Sequence, residues 1–214
     1  VFLKGNNMFE KIQNQCEVLV QQFDSISLDR KAVLLQLSDY IHAKIDSKLL
    51  IQLMYVCTHN SRRSHFGQIW SAVAADFYSI PQVSTFSGGT ESTAFHPNAI
   101  QALTDTGFEI FSADSANENP RYTVQFGENQ RTVCFSKVYD DSVNPTNAFA
   151  AIMTCSDAEE NCPFIPGVEL RVGTTYDDPK AFDGTVLQSE KYMERSNQIA
   201  LETLFVFSNL KNKL

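Results

Sequence analysis

The chain has 214 residues, 43% of them hydrophobic and 20% charged, enough for a domain with its own apolar core and too evenly mixed for a disordered or fibrous protein. A formal net charge of -8 at pH 7 argues against a broad nucleic-acid footprint, and no apolar run is long enough to span a bilayer. The five cysteines, Cys16, Cys57, Cys134, Cys155 and Cys162, are odd in number, so reduced thiols in a cytoplasmic compartment are expected rather than a disulfide scaffold.

The opening VFLKGNNMFEKIQ lacks a sustained apolar segment and a small-residue cleavage site, so secretion is not expected. Phe9, Ile12, Cys16, Val20 and Phe23 recur near helical spacing; Ser25-Ile26-Ser27 interrupts, and Ser27 can cap a second helix carrying Val33, Leu34, Leu37, Tyr40 and Ile41. Ile51 to Val56 is a short strand-like run, and a polar, Arg-rich turn follows at once. Phe66, Ile69, Trp70, Val73 and Phe77 then make the stripe of a helix, and Val83 to Phe86 a second strand. Pro97 can open a helix that Gly107 stops, and Phe108 to Phe111 is a third strand candidate. Residues 121–136 predict a β-hairpin about Gly127-Glu128-Asn129-Gln130. Phe149 to Thr154 is apolar almost throughout, as in a strand buried on both faces; Val168 to Val172 is a further strand and 188–208 a last helix. The alternation predicts a doubly wound, mostly parallel α/β sheet.

Cys57-Thr58-His59-Asn60-Ser61-Arg62-Arg63 has the form C-x5-R between a strand and a helix. A loop wrapped from Cys57 to Ser64 at a helix N-terminus can aim several backbone N–H groups at one anion, with Thr58, His59, Asn60, Ser61 and Arg62 as its wall. Arg63 can close the ring with a planar fork on two oxygens. The same field favours the thiolate of Cys57, the nucleophilic form, and Ser64 is placed to donate to the sulfur. Asn60 is expected to organise the loop through side-chain to backbone bonds. With no paired CxxC knuckles and no HxxxH, neither a metal site nor a cofactor is expected.

These residues resemble the low-molecular-weight protein tyrosine phosphatase superfamily, and most closely its thioredoxin-coupled arsenate reductases, whose nucleophile loop reads C-T-x-N-S-x-R-S. Ser87-Gly88-Gly89-Thr90 and His96-Pro97-Asn98-Ala99 are similar to the family's S-A-G-T and N-P-x-A stretches. Cys155-Ser156-Asp157-Ala158 through Cys162-Pro163 is similar to the reductases' C-S-D-A-x-x-x-C-P segment, which plain phosphatases of this fold lack. The resemblance covers roughly residues 50–208 and implies a four-stranded parallel sheet of the phosphatase type. On that frame, residues 1–49 are a helical extension on a catalytic domain of residues 50–214, either purely structural or a homodimer surface, and the 121–136 hairpin is an insertion.

Two activities follow from the resemblance. In arsenate reduction Cys57 attacks arsenate, Cys155 attacks the Cys57 sulfur, and Cys162 resolves that bond to leave a disulfide for thioredoxin. The alternative is hydrolysis of a phosphomonoester through a phosphocysteine at Cys57. In either, a carboxylic acid in Asp177-Asp178-Pro179 can protonate the departing oxygen; the family places it immediately before the proline, at Asp178, with Asp177 second. The substrate is thus a small oxyanion or a phosphorylated molecule, with no nucleic acid or membrane partner. Departures are Arg171-Val172-Gly173 where the reductases have H-W-G, Gln68 where the potassium-binding ones have Glu, Arg62 at a small or cysteine position, and Lys180 where tyrosine phosphatases carry Tyr. Tyr176 is the substitute candidate for an aromatic wall. Cys16 and Cys134 lie outside the motifs and read as buried apolar residues.

Overall fold

A computed structural model of the chain describes residues 7–161 and 164–211. In chain order the elements are α1 (Glu10–Val20), a 3₁₀ turn (Phe23–Ser25), α2 (Leu28–Asp46), β1 (Ile51–Cys57), α3 (Arg63–Phe77), β2 (Val83–Gly89), α4 (Pro97–Thr106), β3 (Glu109–Ser112), β4 (Tyr122–Gln125), β5 (Arg131–Cys134), β6 (Phe149–Met153), α5 (Ser156–Asn161), β7 (Val168–Gly173), a second 3₁₀ turn (Pro179–Phe182) and α6 (Gln188–Lys211).

The parallel sheet has the order β2-β1-β6-β7. β6 is buried at every position and β1 at all but Gln52, as strands covered on both faces must be. Their side chains divide by the period of two: Leu53, Tyr55, Ala150 and Ile152 join the larger core, Met54, Val56, Ala151 and Met153 a smaller one on the opposite face. α3 and α6 pack on each other over the larger core. Between them Trp70 is fully buried, its indole N–H donating to Ser196 Oγ at 3.0 Å and its ring meeting Phe108 edge-on. Burying each such large side chain contributes about 1.5–3 kcal/mol.

The local signals explain the boundaries. Ser27 Oγ accepts the Arg30 amide at the start of α2. α4 opens on Pro97 and closes at Gly107, whose φ of 118° any β-carbon would resist. α1 and α2 both lie against α6.

Two details go beyond the sequence pattern. The strand at Phe108–Phe111 is β3, but it pairs antiparallel with β4 of the hairpin, making a separate three-stranded sheet β3-β4-β5. It is only partly covered, with Glu109 and Phe111 exposed, so it could not serve in a sheet sealed on both faces. The stretch following Cys155 is helical over Ser156–Asn161. Cys162 lies outside the described residues.

Candidate active site

β1 ends at Cys57 and α3 begins at Arg63, so the intervening turn lies at the C-terminal edge of the parallel sheet, over the start of a helix. Its carbonyl groups are taken up from outside. Cys57 O accepts from the Thr90 amide at 3.2 Å, Thr58 O from the Glu91 amide at 2.8 Å, His59 O from Ser136 Oγ at 2.9 Å and Ser61 O from the His96 amide at 3.0 Å. In a trans peptide the N–H points opposite the carbonyl, so these bonds turn the amides of Thr58, His59, Asn60 and Arg62 toward the interior of the turn. Asn60 has φ 43°, a left-handed conformation that asparagine tolerates and that gives the turn the curvature of an anion nest. Gly89 closes the wall behind it: a β-carbon there would come 2.6 Å from Thr58 O and 2.8 Å from the Asn60 amide.

Cys57 Sγ lies 3.0 Å from Ser64 Oγ, and Asn60 Nδ2 donates to the same hydroxyl at 2.8 Å. The hydroxyl oxygen receives the amide, which leaves its proton for the sulfur. Asn60 Oδ1 accepts the backbone amide of Lys137 at 3.0 Å, so the side chain ties Ser64, at the end of the loop, to the segment after β5. Thr58 Oγ1 donates to Asp157 Oδ2 at 2.7 Å and lies 3.4 Å from Cys155 Sγ. Cys57 and Cys155 are both buried and belong to the same smaller apolar cluster. β1 and β6 are adjacent and in register at Val56 and Met153, which carries both cysteines past the same sheet edge. Cys16 and Cys134 belong to the larger core instead, and burial pushes both thiols up to about 12.

Arg63 does not sit idle over the turn. Its two terminal nitrogens reach Asp178 Oδ2 and Tyr176 O, each at 2.7 Å. Asp178 also caps the second 3₁₀ turn, accepting the Lys180 amide at 3.0 Å, so the carboxyl is a cap and the partner of Arg63 at once. Asp177 faces solvent and meets Arg195 at 3.6 Å. The guanidinium of Arg62, expected to wall the oxyanion site, is directed instead at Tyr192 Oη (2.7 Å) and Asp183 (3.5 Å). That choice is electrostatic. Asp183 also accepts from Tyr192 at 2.8 Å and from Asn98 at 3.0 Å, and these bonds outweigh burial and hold its carboxyl below the usual range. His59 points outward, 3.6 Å from Glu91.

Tyr176 does not flank the site with its ring. It is buried, donates to Glu202 Oε2 at 2.7 Å, and lies under the Arg30 guanidinium, 4.8 Å from its ring centroid. Arg30, from α2, binds Glu202 at 2.8 Å and Thr174 O at 2.9 Å. A residue of the N-terminal helices thereby braces the segment that carries Asp178. Nothing local in the sequence marks Arg30, Glu202, Asp183 or Tyr192, since each meets a partner brought near only by the fold. Among the described residues no group of three or more His, Cys, Asp or Glu could hold a metal ion, and no helix is long and apolar enough to cross a membrane.

No family model matches the chain. The arsenate reductase of Bacillus subtilis (strain 168) is 26% identical over 143 residues, which is 67% of this chain and 84% of that protein. The arsenate reductase of Staphylococcus aureus (strain Newman) is 25% identical over 128 residues, 59% of this chain and 77% of that one. Among solved structures, a low-molecular-weight phosphotyrosine phosphatase from Vibrio cholerae O395 superposes with a TM-score of 0.51 at 15% identity, over 76% of this chain and 98% of that one. At that identity the likeness speaks for the fold.

Proposed function

We propose that the chain is an enzyme of the low-molecular-weight phosphatase superfamily, near its arsenate reductases, and that it reduces arsenate with a relay of three thiols. Arsenate occupies the turn from Cys57 to Ser64, met by the inward amides, and Arg63 moves from Asp178 onto its oxygens. The Cys57 thiolate attacks arsenic, a sulfur–arsenic bond forms, and one oxygen leaves as water with a proton from Asp178, the carboxyl that Arg63 has just released. Ser64 steadies the sulfur before attack.

Cys155 then attacks the Cys57 sulfur. The sulfur–arsenic bond breaks with its electron pair left on arsenic, arsenite departs, and a Cys57–Cys155 disulfide remains. Cys162 attacks Cys155 in its turn, frees the Cys57 thiolate, and leaves a Cys155–Cys162 disulfide for an external dithiol of the thioredoxin kind. What supports this reading is the placement of Cys155, a buried thiol 3.4 Å from the Thr58 hydroxyl at the same sheet edge as Cys57. A phosphomonoester hydrolase needs Cys57, Arg63 and Asp178 but no second thiol there.

The test is arsenate-dependent NADPH oxidation in the presence of thioredoxin and thioredoxin reductase, with p-nitrophenyl phosphate hydrolysis run in parallel. Thioredoxin-dependent arsenate turnover that disappears in Cys155→Ser, while ester hydrolysis persists, is the expected result. Ester hydrolysis without any arsenate turnover would move the enzyme to the phosphatases.

A further inference from the structure

Behind the nucleophile turn, on the hairpin side, lies a cavity of about 310 Å³ that the reaction above does not use; Gln68, Phe86, Arg121, Val133, Phe135 and Lys137 line it. Lys137 is only 5% exposed, yet its ammonium has a single hydrogen bond, a long one of 3.4 Å to Phe135 O. No carboxylate among the described residues lies within ion-pair distance of it. A buried ammonium with donors to spare is costly unless something answers its charge. Burial pulls its pKa down to about 8, with Arg121 in the same direction and the more distant charge of Asp141 against it. The Arg121 guanidinium reaches the same wall, and both cations lie over the Phe135 ring, at 4.0 Å for Arg121 and 4.6 Å for Lys137.

The other walls narrow the occupant. Gln68 is already committed, accepting from Ser87 Oγ at 2.6 Å and donating to Thr132 Oγ1 and Val133 O, each at 2.9 Å. It offers shape and no free donor. Phe86, Phe135 and Val133 supply apolar surface, and the lining has no Asp or Glu in a chain whose net charge is -8. Two cations over apolar walls match an anion with an apolar body, not a bare inorganic ion. We propose that this cavity is a second, non-catalytic binding site for a small organic anion, its charged oxygen head on Lys137 and its flat apolar body between Phe86 and Phe135. Lys137 also gives its backbone amide to Asn60 Oδ1 at 3.0 Å and its carbonyl to the Gly89 amide at 2.9 Å, so the site adjoins the nucleophile turn without sharing a side chain with it.

The site stands independently of the proposed reaction and is tested by binding alone. The full chain is titrated with benzoate, with phenylphosphonate and with neutral benzamide, by calorimetry and by amide shifts in ¹⁵N NMR. At least one of the two anions is expected to saturate, with shifts centred on Lys137, Arg121 and Phe135, and benzamide is not; which anion binds tells a carboxylate head from a phosphoryl one. Lys137→Met should weaken that binding by about tenfold or more, the usual loss for a charge-assisted hydrogen bond. Arg121→Gln, an exposed change that leaves the fold intact, should weaken it severalfold and decides the matter should Lys137→Met fail to fold. Arg63→Ala, which disables the nucleophile turn, should leave it unchanged. The proposal falls if neither anion saturates, if both cation variants bind as the native chain does, or if Arg63→Ala removes the binding.

Discussion

The two ends of the candidate site are built on different physics. At the cysteine end, Cys57, Ser64, Asn60, Thr58 and Cys155 are held mostly by neutral hydrogen bonds, with one carboxylate contact from Thr58 to Asp157, and by backbone carbonyls turned outward. At the acid end, Arg62, Arg63, Asp178 and Asp183 are packed into one set of alternating charges, with Tyr192 and His96 between them. The first arrangement fixes the Cys57 sulfur and turns the amides of the loop inward. The second pairs Arg63 with Asp178, the carboxylate whose place the substrate would take in the proposed reaction. The difference suggests a division of labour: the cysteine end is pinned by hydrogen bonds from segments packed around it, and the acid end is built of ion pairs, which can trade partners.

Loss of the nucleophile is the largest break that can be made in this comparison. Cys57→Ser should abolish turnover of every substrate, by on the order of 10⁴-fold or more, with the melting temperature nearly unchanged. Retained activity would remove the cysteine end from the chemistry. Asp178→Asn should slow turnover by about 10²- to 10³-fold, the usual contribution of a positioned acid, with the greatest loss for esters of poor leaving groups. The same change takes a charge from Arg63, so oxyanion inhibitors should bind at least as tightly to the variant. Tighter binding with slower turnover would support the exchange of Arg63 between Asp178 and substrate; weaker binding would contradict it.

The next effect is on stability and belongs to the brace behind the acid end. Arg30→Met strips the partner from the buried Glu202, which is 4% exposed, and should cost about 3 kcal/mol by denaturant unfolding. Adding Glu202→Gln removes the stranded charge and should recover much of that loss. If the double variant is as unstable as the single one, packing of Arg30 on Tyr176, not charge, holds the segment.

The contrast between the ends also explains what was legible beforehand. Cys57, Asn60, Ser61, Arg63 and Ser64 lie within eight consecutive residues between a strand and a helix, so their convergence needed only local geometry. Pro97 and Gly107 marked the limits of α4 for the same reason. The acid end is long-range: Arg62 meets Tyr192, 130 residues away, and Arg30 meets Glu202, 172 away. No spacing rule reaches that far, which is why the Arg62 side chain looked like part of the oxyanion wall and Tyr176 like a free ring. β3 was legible as a strand, and its pattern also carries a sign of which sheet it joins. Its alternation of exposed and half-covered residues, visible in Glu109-Ile110-Phe111, is the mark of a strand open on one side.

The smallest effect is a pH dependence that separates the two ends through their histidines. His65, in the first turn of α3, is fully buried against Phe95 with its ring 3.3 Å from Ser87 Oγ, and its Nε2 has no partner among the described residues. Burial first, and the charge of Lys137 second, hold its pKa well below 6.5. His96, at the acid end, is lowered too, by burial and by Arg62, but Asp183 and Asp178 pull the other way. As pH falls through 6.5, the unfolded chain takes up a proton that folded His65 refuses, so the unfolded state gains. Stability is therefore full above that pH and declines below it, by about 1.4 kcal/mol per pH unit for a histidine that stays neutral in the fold. His65→Gln should be less stable than the native chain near neutrality yet show a flatter profile between pH 6.5 and 5, whereas His96→Gln should flatten it less. Asp183, held below its usual 3.8, stays ionised throughout that window, so the charged end keeps its pairs while the neutral end weakens. Equal slopes in the native chain and both variants would assign the acid sensitivity elsewhere and erase the distinction between the ends.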